Sequence, residues 1–171
     1  DRSSERLEQA WRTVRLRTSQ VDEPYATVQR RVEHEALAQT MAGAAGVRVP
    51  VVRNIVASPA GSVGLLEERL DGTAVSDLPP ARLDRPLLRR IWQQVAALHR
   101  QRIAHRGLGL GVVSVTATGD VAMTEFDAAR LAASDRDLGL DRAQVLVDTA
   151  LRVGADEAVA VAVETLGPKA V

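Results

Sequence analysis

The chemistry of this chain begins with a short list of residues. Gly107-Leu108-Gly109-Leu110-Gly111 has the look of a phosphate-cradling loop, but a dinucleotide fingerprint follows a strand and opens a helix, so that backbone amides meet the pyrophosphate. Here the glycines follow a helical pattern and precede a strand-like one, with GxGxG spacing, and a flexible loop is the reading that fits. His34, His99 and His105 lack the i, i+4 spacing of a helical zinc site, and no cysteine completes a set. His99, near the end of a helical stripe, reads as a packing or capping residue. Ser58, Ser62, Ser76 and Ser114 lack the GxSxG context of a hydrolase nucleophile. The carboxylates say more. Glu33 and Glu35 share a helical segment, with Glu35 able to face inward. Glu125 ends an alternating strand pattern and precedes Phe126-Asp127, where it points towards the His105 loop and could meet a metal or a phosphate. Asp141 opens a helical pattern, where N-capping is the default role.

Composition limits the functions further. The chain has 171 residues, 22 basic and 22 acidic, and no cysteine. Zero net charge argues against a general nucleic-acid binder, which needs a basic face. The absence of cysteine excludes disulfide frameworks and thiolate nucleophiles. No apolar run approaches the roughly 20 residues of a membrane span, and no signal peptide is read at the start, so the chain itself is not expected to cross a bilayer. Lys169 is the single lysine, so chemistry that requires an earlier lysine is closed to this segment.

These residues need elements to hold them. Residues 4–17 place Leu7, Trp11 and Val14 on one helical face, and a polar connector covers 18–24. A helix is expected over 28–45, ending at Gly46. Strands follow over 49–58 and 62–70, joined at Ser58-Pro59-Ala60-Gly61, and Asp71-Gly72 should break the chain. The clearest helix is 85–102, capped by Asp84, with a stripe of Leu88, Ile91, Trp92, Val95 and Leu98. A loop over 105–111 leads to a hairpin of 112–116 and 121–126, turning at Thr118-Gly119-Asp120. Two helices, 140–153 and 156–166, close the chain. Asp137, just before them, is expected to be solvated. The class is α+β, with local antiparallel strand pairs and helices in the majority.

Several of these segments together resemble the protein-kinase-like fold. Ile103-Ala104-His105-Arg106-Gly107-Leu108 resembles the catalytic loop, usually His-Arg-Asp-Leu with a later Asn. Thr124-Glu125-Phe126-Asp127 resembles the approach to Asp-Phe-Gly, and Val32 to Leu37 resembles the small-lobe helix whose glutamate pairs with the ATP-gripping lysine. More narrowly, the Val32 to Leu37 run, Ala132-Ala133-Ser134-Asp135-Arg136 and Val153-Gly154-Ala155 are similar to kinase-like domains fused to bacterial lysylphosphatidylglycerol-synthase/flippase-like membrane proteins. The resemblance implies a partial small lobe with hinge over 1–72 and a helical large lobe over 73–171. It implies remnant nucleotide-binding positions at Glu35, Glu68 and Leu70, a metal position at Glu125, and a structural loop of His105, Arg106, Phe126 and Asp141. In it Asp141 holds the loop and the His105 ring packs near Phe126.

The departures decide what the resemblance implies about activity. The base aspartate is replaced by Gly107, the second metal ligand by Val112, and the glycine after Asp-Phe by Asp127. No lysine is available to Glu35, and in this family its strand precedes the segment, so a longer parent protein is expected. The implied protein is a pseudokinase: a binding or regulatory module with no catalytic residue and no expected cofactor. Its partner would be a protein or a covalently linked membrane domain, on the cytoplasmic side. Two alternatives stand beside it. One is an atypical ATP-dependent phosphotransferase that uses Glu125 for magnesium, with Asp127 or Asp120 as base; the other is a helix-rich interaction domain without a ligand site.

Overall fold

The computed structural model describes residues 27–59 and 61–170. The helix and connector expected over 4–17 and 18–24 lie outside the described residues. Among the described residues the architecture is α+β: four α-helices, a two-stranded sheet and a three-stranded sheet, both antiparallel.

Helix α1 (Val28–Ala44) starts at Thr27, whose hydroxyl accepts from the Arg30 amide, and the turn after it reaches Gly46 at φ 84°. Its buried side is Ala36, Ala38, Gln39 and Ala42, small residues that let the helix lie close to the hairpin of β1 (Val52–Ala57) and β2 (Val63–Glu67). Gln39 ties the layers together, its Nε2 donating to Pro50 O and to Glu67 Oε2, both at 2.8 Å. The register pairs Ile55 with Leu65, with an irregularity between Val52 and Asn54.

Asp71-Gly72 does not end the strand region. Residues Gly72–Ala74 form β3, which pairs with β4 (Val113–Thr116), and β4 pairs in turn with β5 (Val121–Met123). The glycine that suggested a break is required by close approach: a Cβ at Gly72 would sit 3.1 Å from the Val115 carbonyl oxygen.

Helix α2 (Arg85–Arg100) follows the expected stripe. Asp84 caps it by accepting from Leu87 N at 2.9 Å, and Leu88, Ile91, Trp92, Val95 and Leu98 are buried against β5, Phe126 and the last two helices. Helix α3 (Asp135–Val153) begins five residues earlier than its pattern suggests. Ser134 and Asp137 form a capping box there, with each side chain bonded to the other's backbone, and Asp137 is buried rather than solvated. Gly139 lies within the second turn, after the cap and next to buried Leu138. Helix α4 (Ala155–Leu166) packs on α2 and α3, and the exposed pairs Arg85–Glu157, Arg85–Glu164 and Arg89–Glu164 rim that contact.

Candidate functional site

Between α2 and β4 the chain runs through residues 103–112 as an irregular loop, four of whose backbone amides are taken by side chains of α3. Asp141 is fully buried. Its carboxylate accepts from His105 N at 2.7 Å, from Arg106 N at 2.8 Å and from His99 Nε2 at 3.2 Å. Three residues later Gln144 Oε1 accepts from Leu108 N at 3.1 Å, and four beyond that Asp148 Oδ2 accepts from Leu110 N at 3.0 Å. One helix face thus presents three acceptors at i, i+3 and i+7, and each takes loop amides that no strand or helix satisfies. Asp141 is not an N-cap, because α3 starts six residues before it.

The loop is also pinned from the β-sheet side. Ala104 and Arg130 form an isolated antiparallel bridge, with N···O distances of 3.0 and 2.7 Å. The His105 ring is buried 4.8 Å from the Phe126 ring at a 55° tilt, and its Nε2 donates to the Thr124 carbonyl at 2.8 Å. That bond leaves Nδ1 as a buried atom without a partner. Burial holds the imidazole below its ordinary value of 6.5, against the opposing pull of the Thr124 carbonyl and of Asp141, Asp127 and Glu125.

Backbone strain collects here. Arg102, Arg106, Glu125 and Ala132 all have φ between 51° and 65°, a region that costs L-residues energy, and all four lie in or beside this loop system. Glu125 does not end a strand: β5 stops at Met123, and the left-handed turn at Glu125 takes its side chain out of the alternating pattern and leaves it exposed. Val112 likewise lies just outside β4, half-buried, with its carbonyl accepting from Thr124 N at 3.0 Å.

The carboxylates gather at one place. Glu35, on α1, is raised above its ordinary value of 4.5 by burial first and then by Asp127, Glu67 and Glu125, while Arg31 pulls weakly the other way. Glu67 was the acid that sequence reasoning passed over; it shares the inward side of β2 with Leu65, whereas Glu68 turns out and pairs with Arg53. Leu70 is half-buried in the loop after β2. Gln144 and Asp148 were also missed, although their spacing from Asp141 was open to a search for polar residues along one helix face.

These residues do not fit ATP with magnesium, the group that the kinase resemblance implies. Glu35 is raised by burial first, and Asp127, Glu67 and Glu125 add a repulsion that an anionic triphosphate would also meet. Val112 offers no ligand atom beside the loop. Among the described residues, no group of three His, Asp or Glu side chains is arranged to hold a metal ion.

No family model matches the chain, and no curated protein matches it. Among solved structures, a co-crystal structure of WbdD with a kinase inhibitor is similar at a TM-score of 0.46 and 23% identity. The match covers 64% of this chain, which spans 27% of that one.

Proposed function

We propose that this chain is a kinase-like module without phosphotransfer chemistry, serving as a binding or regulatory domain beside a membrane protein. The observation that supports it most is at Gly107. The loop around this residue is held in place by Asp141, Gln144 and Asp148, yet the position where a base would stand carries no side chain. Nothing in the backbone asks for glycine there: it is not among the positive-φ residues, and an added Cβ would meet only His105 Nδ1, at an ordinary 3.8 Å. A costly arrangement of buried polar groups therefore presents an empty place.

The repulsion that Asp127, Glu67 and Glu125 add at Glu35 points the same way, since nucleotide phosphates would also meet it. Association with a membrane protein rests on the similarity of residues 132–136 and 153–155 to domains fused to such proteins. In that reading the module lies on the cytoplasmic side, and among the described residues no helix is long and apolar enough to cross a membrane.

A thermal-shift titration tests the reading. Binding to the folded state raises stability by RT ln(1 + [L]/Kd), about 2.7 kcal/mol at a hundredfold excess over Kd. Millimolar ATP with magnesium is expected to leave the melting temperature unchanged. A clear upward shift that disappears in Glu125→Ala would establish a working metal–nucleotide site and overturn the proposal.

A further inference from the structure

Two helices expose aliphatic stripes to solvent. On α1, Leu37 and Met41 lie one turn apart at 51% and 40% exposure, and Leu37 closes a groove of about 480 Å³ lined by Thr27, Gln29, Arg30, Glu33 and His34. On α3, Leu140, Val147 and Leu151 are exposed at 55%, 56% and 81%. Single exposed aliphatics are ordinary, but a stripe that continues a groove is a surface with room for something.

We propose that residues 4–17 of this same chain dock on the outer face of α1, placing Leu7, Trp11 and Val14 against the groove, Leu37 and Met41. Three features choose this occupant and this face, whatever chemistry the His105 loop does or does not perform. The first is reach. Residues 1–26 enter α1 directly at its cap, Thr27, and the nine residues 18–26 can span up to about 30 Å. Helix α1, at 17 residues, is about 26 Å long, so its whole outer face lies within that tether and meets the segment at high effective concentration.

The second is pattern. Leu7, Trp11 and Val14 stand at i, i+4 and i+7, a stripe matched to the spacing of Leu37 and Met41. The third is charge, and it separates the two candidate faces. Residues 6–17 contain four arginines and one glutamate. The α1 groove presents Glu33, one turn from Leu37, as an acidic partner for a guanidinium. Arg30, also in the groove, can face Glu8. At the N-terminal end of α3, Asp135 and Asp137 are already paired with Arg102 and Arg130, so that end has less to offer a basic segment.

Tryptophan reports the docking. The chain has two, and Trp92 is 1% exposed in the core, so the quenchable emission belongs to Trp11. Acrylamide quenching and tryptic cleavage after Arg12, Arg15 and Arg17 are measured in the parent chain, in Leu37→Glu/Met41→Glu and in Val147→Glu/Leu151→Glu. Trp11 is expected to be shielded in the parent, several-fold more quenchable in the α1 variant, and unchanged in the α3 variant. Arg15→Glu/Arg17→Glu, which leaves the described fold untouched, is expected to free Trp11 as well. Parent quenching equal to that of a free 1–26 peptide overturns the proposal, as does shielding that survives both the α1 and the arginine variants. Release by the α3 variant moves the segment to the other face. Loss of shielding on dilution assigns the surface to a second copy. Either of these also overturns the proposal.

Discussion

Among the described residues, the β1–β2 hairpin has the longer strands and the β4–β5 hairpin the better-buried ones. In the second, Val113, Val121, Ala122 and Met123 are all buried, covered by α2 and by Phe126. In the first, Ile55, Val56 and Leu66 are exposed, and the covering helix α1 turns only alanines and one glutamine inward. An isolated two-stranded hairpin is marginal in water, so β1–β2 depends on α1 to hold it. The loop that needs exact backbone placement is built on the well-covered sheet and bonded to α3, while the carboxylates from α1 and β2 reach it from the thinly covered side. Rigidity is thus concentrated on the His105 loop, and adaptability is left to the Glu35 side.

Equal truncations on the two sides should expose this difference. Ile91→Ala, at a position with no exposure, is expected to cost about 2–5 kcal/mol, because burial is lost and a cavity remains. Leu66→Ala, at a position 52% exposed, should change stability by less than about 0.5 kcal/mol. Urea midpoints for the pair check it, and comparable losses would mean that β1–β2 is covered more fully than its exposure shows.

The loop clamp should rank next. Asp141→Ala strands two buried backbone amides and is expected to cost about 2–4 kcal/mol. Asp137→Ala loses a capping box and should cost about 1 kcal/mol, more than a solvated aspartate would. Thermal melts of both variants decide between them, and equal effects would count against the clamp.

The smallest effect is electrostatic and confined to the Glu35 side. A carboxyl raised in the fold contributes stability that is fully present below pH 4.5 and is lost as pH rises through the folded value. Glu35→Gln is therefore expected to melt slightly higher than the parent at pH 7, with the difference closing as pH falls to 4.5 and below. His105 has the opposite sign: its contribution is present above pH 6.5 and is lost as pH falls through its lowered value. A Glu35→Gln difference that widened in acid would reverse the assignment.

Much of the fold was legible. The α2 stripe and its Asp84 cap followed from three- and four-residue spacing, and the β4–β5 turn from Thr118-Gly119-Asp120. The strand β3 was not, because three residues beginning at a glycine carry no alternation and their partner in β4 lies about forty residues away. The start of α3 was missed although the Ser134-to-Asp137 spacing was a capping signature in plain view. Within the site, the contact between the His105 and Phe126 rings and the bonds from the loop to Asp141 leave no periodic pattern in the sequence. Gln144 and Asp148 escaped because the amides they serve leave no mark in a sequence, although their own spacing from Asp141 along one helix face does. Glu67 escaped because a one-residue choice of strand face separates it from Glu68.

The most direct test is phosphoryl transfer itself, by the parent chain and by Gly107→Asp/Val112→Asn, with magnesium and a generic hydroxyl acceptor. Restoring a positioned base recovers on the order of a hundred- to ten-thousand-fold when the rest of a site is intact. Here no lysine precedes Lys169 to hold the phosphates, so neither protein is expected to release or transfer phosphate above background. Magnesium-dependent turnover in the parent, abolished by Glu125→Ala, would contradict the reading of a chemically empty loop.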